Sequence, residues 1–444
     1  MTHSMVFFTK IDDRAKVKGS RDPLGIEPIW SAFGREVVGN LTTVTTSLRG
    51  FTTLVLGMYF VDRLVERGRV SEGARLSLFL RAEQLAAYSR HAAGQEGLRG
   101  ELRGIERVKD RLASGGSVKI SADPAHQILS DQRTYGLWGL YSQAARKSGI
   151  FDTYAQKLTP DATDFVELFH AGKLRGFRKE IEDLIGKKEA ATFDPYNKHR
   201  ACAATLARQL APKVEQEERD YYMKTLVEGG EGMPPVVRAR QSELWETMAE
   251  VYDSKRVPWN SWFGMKDLRE LEHRAEKAGR GALAERLSYI RDVEPLLGAV
   301  ARLFGYLMRC GGRSVKAVAK DVEDTWGKGL VHLEPEALPR GAIMIFDHAA
   351  SDKARGRIVD AGSAMQAGKY SDAIRLVLEQ NEAVMNARGG AAPWVKIDRG
   401  KLDVRFRGDD WPSLPSRSEM PDLWTNSYFL NSLKAIGRSV VGRA

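Results

Sequence analysis

Along most of this chain, apolar residues recur three and four positions apart, and glycine pairs cut the pattern into segments. That spacing lays apolar side chains along one stripe of a helix, whereas a half-buried strand needs strict alternation. A helix is expected after Pro28, with Trp30, Phe33 and Val37 on one side, and Gly39-Asn40 interrupts it. A second helix is predicted over 45–66. Ser71 is placed to cap a third that runs to about His91, with Leu76, Phe79, Leu80 and Leu85 facing inward. A basic helix is expected over 98–113. Residues 126–147 carry Leu129, Tyr135, Leu137, Trp138, Leu140, Tyr141 and Ala144, with Gly149 where a left-handed cap belongs. Further helices are predicted over 161–185, 198–229, 237–252, 265–277 and 282–289. Another covers 294–309, with Pro295 in its first turn, and a next one after Ser314 ends at Trp326. The last two span 371–386 and 423–441.

Strand signals are few. Val118 to Ser121 reads as a short strand, and 341–346 (GAIMIF) as a buried one. Residues 394–398 and 402–406 alternate around Arg399-Gly400-Lys401, the pattern of a hairpin. The expected fold is therefore mainly α: multi-helix bundle domains with a small C-terminal β-hairpin. At roughly 150 residues per domain, the 444 residues divide into a charged leader (1–25), an N-terminal helical domain (26–116) and a middle helical domain (117–228). A Gly/Pro-rich linker (229–235) then leads to a C-terminal helical domain (236–444) holding the hairpin at 394–406.

The longest apolar run, Gly50 to Val61, has twelve residues between Arg49 and Asp62. A bilayer needs about 20, so this is expected to be a buried core helix and no membrane contact is predicted. Lys10, Asp12, Asp13, Arg14, Lys16, Lys18 and Arg21 leave no apolar core of signal-peptide length near the start. Cys202 and Cys310 make no disulfide framework, and they suit a reducing cytoplasm.

The common chemistries leave no signature. No histidine pair has zinc spacing, and C-x-x-C, Walker and G-x-S-x-G motifs are missing. No metal, cofactor or catalytic residue is assigned, and a non-enzyme is expected. Asp347, His348 and Asp352 after the apolar stretch, or Asp398, Lys401 and Asp403 on the hairpin, would have to converge in a pocket for a hydrolase reading.

Basic residues carry more weight. Lys and Arg number 68 against 58 Asp and Glu, a net charge of +10, which favours polyanions. Arg313, Lys316 and Lys320 lie in and after a glycine-containing turn between two expected helices, a layout that helix-turn-helix proteins use. The hairpin adds Lys396, Arg399, Lys401, Arg405 and Arg407, and the final helix adds Lys434 and Arg438. Tyr135, Trp138 and Tyr141 have the spacing of a base-stacking platform, but core packing explains them more simply.

Two sets of residues resemble a known group. Asp22 to Trp30 (DPLGIEPIW), Gly39 to Val44 (GNLTTV), and Arg49 ahead of Tyr59-Phe60 resemble the opening of uncharacterised helical proteins from bacterial anti-phage defence loci. Arg388 to Trp394 (RGGAAPW), the hairpin, and Ser427 to Leu433 (SYFLNSL) are similar to the C-terminal wording of the same proteins. The resemblance implies a subunit working beside a helicase, nuclease or other ATPase, one that binds invading DNA or holds partners together. Together these readings predict a non-catalytic, nucleic-acid-binding subunit of a multi-subunit complex, with DNA as its polyanion. The alternative is a protein-docking scaffold with no nucleic-acid contact.

Overall fold

The computed structural model describes residues 22–95, 103–254, 258–390, 392–405 and 413–442. The fold is mainly α, with a hairpin near the C-terminus. Contacts gather the chain into two compact units: a larger one of residues 35–262, 274–283 and 429–444, and a smaller one of residues 1–34, 263–273 and 284–428. Most of the expected leader and the start of the expected basic helix lie outside the described residues. No helix among the described residues is long and apolar enough to cross a membrane.

In the larger unit, the helix Leu48–Glu66 is buried along nearly its whole length, with Phe51, Leu54, Val55, Met58, Val61 and Leu64 inaccessible. It packs against Arg75–Ala92 and Leu137–Lys147. The short strand expected near 118 is present: β1 (Val118–Ile120) pairs antiparallel with β2 (Ala191–Phe193). Cys202 is buried and free here, as Cys310 is in the smaller unit.

The single helix expected over 126–147 is instead three pieces: Pro124–His126, Gln132–Tyr135 and Leu137–Lys147. Buried Glu83 explains the last break. Its carboxylate accepts the Leu137 N–H (2.7 Å) and the Gln132 side-chain amide (2.8 Å). Gly136 is required at this point, because a Cβ there would lie 2.3 Å from the Gln132 carbonyl.

The expected domain boundary near 116 and the expected linker at 229–235 both fall inside the larger unit. The stretch ahead of the linker is tied down through its backbone. Buried Asn40 donates to the carbonyls of Thr225 and Leu226, and buried Gln241 donates to those of Leu226 and Val227. Gly229, Gly230 and Met233 are buried beyond them.

In the smaller unit, the two helices expected over 282–309 are one, Gly281–Leu307, which runs straight through Pro295. Leu287, Ile290, Val293, Leu297, Val300, Phe304 and Leu307 are all buried, so one apolar stripe continues across the proline and outweighs its lost N–H. The predicted strand at 341–346 is the helix Arg340–Ala349. Only Ala342 and Phe346 of that run are fully buried, a spacing of four that belongs to a helix. The final helix begins at Leu430 rather than 423. The residues before it serve Glu294, which is completely buried. Its carboxylate accepts from the Thr425 and Asn426 N–H groups, the Thr425 hydroxyl (2.8 Å), the Asn426 amide (2.8 Å) and the Tyr428 hydroxyl (2.7 Å).

Burial pushes the Glu83 carboxyl up to about 7, although its two hydrogen bonds and Arg103 pull the other way. The ordinary unfolded value is about 4.3, so the native state holds an extra proton between the two. The stability this provides is complete below the lower value and is lost as pH rises through the upper one. In urea titrations at about pH 5 and about pH 8, wild type should lose up to about 3 kcal/mol more than Glu83→Gln. Parallel pH dependence in both proteins would refute this.

Candidate nucleic-acid interface

The hairpin is β3 (Val395–Asp398) and β4 (Lys401–Val404), with Val395 opposite Val404 and Asp398 opposite Lys401. Val395, Leu402 and Val404 are buried, and the residues between them face solvent. Arg399 (φ 49°) and Gly400 (φ 76°) are both left-handed, the conformation a two-residue hairpin turn of matching twist needs. At its base, buried Asn381 accepts the Trp394 N–H (2.9 Å).

β4 has a second neighbour. Gly312 N–H donates to Leu402 O (2.7 Å), Leu402 N–H to Arg313 O (2.8 Å) and Val315 N–H to Gly400 O (3.4 Å), with Ser314 opposite Lys401. The turn between the helices Gly281–Leu307 and Val315–Trp326 therefore covers the free edge of the hairpin. Ser314 also caps the second helix, its hydroxyl accepting the Ala317 N–H (3.2 Å). Residues remote in sequence are thereby joined: the turn carrying Arg309 and Arg313 and the helix start carrying Lys316 lie alongside Arg399 and Lys401.

The cations of this face differ in availability. Arg313 is paired with Asp321 (2.5 Å), which also accepts from the Tyr306 hydroxyl (2.7 Å). These two partners hold the Asp321 carboxyl below its usual range. Lys320 is bound to Asp324 (2.8 Å) and Glu323 (3.2 Å), which raise its pKa. Lys396 faces Asp403 across the strands at 3.5 Å. Among the described residues, Lys316, Arg399 and Lys401 are exposed with no carboxylate at ion-pair distance. Arg405 is half-buried, its guanidinium donating to Ala392 O (3.4 Å).

Beside Lys316 and Lys320 lies a concavity of about 400 Å³ that also takes in Lys369, Tyr370 and Ser371. Lys369 escaped the sequence reading because it stands alone ahead of the helix Tyr370–Ala387. The later part of Val315–Trp326 carries Asp321, Glu323 and Asp324 outward. That makes it a poor helix to lay along a groove lined by phosphates.

The remaining candidates lie elsewhere. Lys434, in the larger unit, is 3% exposed. Its ammonium donates to the Ser261 carbonyl (2.8 Å) and hydroxyl and sits 3.9 Å from the centre of the Tyr252 ring, so it is part of the core. Arg438 is half-buried in the last turn of Leu430–Val441, and Arg407 falls outside the described residues. Trp138 and Tyr141 are core residues packed on Phe79, Phe151 and Phe51, while Tyr135 is exposed. Two of the hydrolase candidates are engaged in ion pairs. Asp347 is held by Arg355 (2.5 Å), Asp352 opens the next helix, and Asp403 faces Lys396. No group of three His, Cys, Asp or Glu able to hold a metal occurs among the described residues.

The chain matches no family model, no curated protein and no solved structure.

The space around Gly400 is open, so Gly400→Ala changes only the backbone cost of a left-handed turn, about 1 kcal/mol. Hydrogen exchange should quicken at the Leu402 and Gly312 N–H groups and stay unchanged in Tyr370–Ala387. Unaltered exchange at Leu402 would show that the turn does not hold this pairing.

Proposed function

We propose that this protein is a non-catalytic subunit of a prokaryotic anti-phage defence assembly that grips nucleic acid, DNA in the first instance, by its phosphates. The contacts are made by Lys316, Arg399 and Lys401 in the smaller unit, with Arg309 and Lys369 at the margins. The observation that carries this reading is the backbone pairing of residues 312–315 with β4. It sets unpaired cations from two distant segments on one rigid frame. Cations fixed on secondary structure suit phosphate contacts, which orient a protein on nucleic acid without reading its sequence. The carboxylates on the outer side of Val315–Trp326 argue against base readout by that helix, so the proposed binding is sequence-tolerant. The cytoplasmic setting rests on Cys202 and Cys310, which suit a reducing compartment, and the defence context and partners such as a helicase, nuclease or ATPase subunit rest on the resemblance of the two chain ends.

The competing reading, a protein-docking scaffold, draws on the pairing of Arg313, Lys320 and Lys396 with carboxylates, which weakens the field of this face. Salt dependence separates the two. Fluorescence anisotropy with labelled single- and double-stranded DNA, across roughly 50–200 mM salt, should show affinity falling steeply as salt rises. Replacing Lys316, Arg399 and Lys401 together by Ala should weaken binding at least about tenfold and flatten the logarithmic salt slope by about 2.7, since each phosphate contact contributes about 0.9. Lys320→Ala, which removes a cation already neutralised, should bind within about twofold of wild type. Binding that is absent at low salt, or unchanged in the triple variant, favours the scaffold.

A further inference from the structure

We propose that a cleft in the larger unit, lined by Lys179, Lys187 and Lys198 together with Thr192 and His199, is a binding site for a phosphate monoester. The site is independent of the nucleic-acid reading above.

The cleft is an open concavity of about 540 Å³. One wall follows the helix Arg178–Gly186, whose chain end wraps around a buried cation: the Arg81 guanidinium donates to the carbonyls of Ile185, Lys187, Lys188 and Glu189. The loop that presents Lys187 is fixed by this contact. The opposite wall is β2, where the Thr192 hydroxyl accepts from the Lys119 ammonium (2.7 Å) and keeps its own proton free to donate.

His199 closes the floor. It is 6% exposed. Its Nδ1 accepts the Asp194 N–H (2.9 Å), and its backbone N–H donates to the Asp194 carbonyl (2.8 Å). With Nδ1 an acceptor, a neutral ring carries its proton on Nε2. Burial, reinforced by Lys198, lowers its pKa against the opposing pull of Glu180 and Asp194, which keeps the ring neutral. No described residue accepts from Nε2, so this N–H is left to donate to solvent or to an occupant of the cleft that the residue lines.

Five of the seven polar side chains in the lining can donate. Lys179, Lys187 and Lys198 are exposed and have no carboxylate at ion-pair distance among the described residues. Of the two acids in the lining, Asp183 is held by Arg69 (2.7 Å). Glu180 lies beside the Cys202 thiol with its Oε1 buried and without a hydrogen-bond partner, and it is the carboxylate of the lining that no described cation holds. Ammonium, imidazole and hydroxyl donors converging on a concavity suit an oxyanion of high charge. A cleft of this size has room for the organic group attached to it as well. Such a monoester has two sources, a free nucleotide or the terminal phosphate of a nucleic-acid strand.

Isothermal titration of the full chain at constant ionic strength, with inorganic phosphate, AMP, and a trinucleotide bearing either a 5′-phosphate or a 5′-hydroxyl, tests the proposal. Saturable binding is expected for inorganic phosphate, AMP and the 5′-phosphorylated strand, and binding at least about tenfold weaker for the 5′-hydroxyl strand, which lacks the monoester dianion. AMP binding more tightly assigns the free nucleotide, and the phosphorylated strand binding more tightly assigns the strand end. Lys179→Ala with Lys198→Ala, both at exposed positions, should weaken binding at least about tenfold with an unchanged melting temperature. Glu180→Gln should tighten it by removing a like charge, an effect that a purely structural role would not produce. The Lys316, Arg399 and Lys401 triple variant should bind these probes as wild type does. No saturation by any phosphate probe up to millimolar concentration, or full binding by the lysine double variant, overturns the proposal.

Discussion

A helix leaves N–H groups without partners at its start and carbonyls without partners at its end. In this protein many such ends are buried, away from water that would otherwise solvate them. The structure depends on polar side chains that reach into the interior to satisfy them. Glu83 takes the first N–H of Leu137–Lys147, and Glu294 plays the same part for two buried N–H groups of the loop at 425–426. Asn40 and Gln241 bind the carbonyls that end one helix, and Arg81 binds those that end another. Each unmade bond of this kind would cost about 1–3 kcal/mol, so many short helices in one core require these buried polar residues. The larger unit adds a buried ion cluster where Arg49 meets Glu218 beside Thr52, Tyr222 and His170. Burial alone would raise the Glu218 carboxyl, yet His170 and Arg49 outweigh it and hold it below its usual range.

This division of labour explains what could be read from the chain. Apolar spacing reports which side of a segment faces inward, and helices at 265–277, 315–326 and 370–387 were visible to within a residue or so. Hairpin chemistry is equally local, and Arg399-Gly400 announced its turn. The errors fall where a distant polar residue decides. Gly136 lies inside a segment whose apolar spacing predicts one long helix, and Glu83 supplies the reason for a break. Residues 423–429 have helical spacing, but Glu294 takes donors from among them. The stretch 341–346 failed for another reason: a short apolar run has no period of its own, and only its neighbours choose between strand and helix.

The candidate interface divides in the same way. The hairpin and the turn at 312–315 were each legible, but their pairing joins residues almost ninety positions apart through backbone atoms, which leave no trace in side-chain pattern. Neutralisation was partly legible. Lys320 stands three and four residues before Glu323 and Asp324, the separation at which helical side chains meet. The burial of Lys434 was not, since nothing nearby in sequence distinguishes it from a solvent-facing lysine.

The net charge needs rereading in this light. Arg35 donates to the carbonyls of Val38, Gly39 and Leu41 and lies over the Phe429 ring, with burial lowering it to about 10. Arg81 binds carbonyls only, and Lys434 binds a carbonyl, a hydroxyl and a ring. These three contribute to the excess of +10 while serving as internal caps and packing groups, not as surface charge. The excess is therefore partly a by-product of how helix ends are satisfied. With the long-range field reduced by that share, attraction for a polyanion has to come from local geometry. It depends on unpaired cations held close together on a fixed frame, within about a Debye length of one another. A basic sequence is weak evidence for such a frame. The pairing of an interhelical turn with a hairpin edge is stronger, because it fixes where the available charges stand.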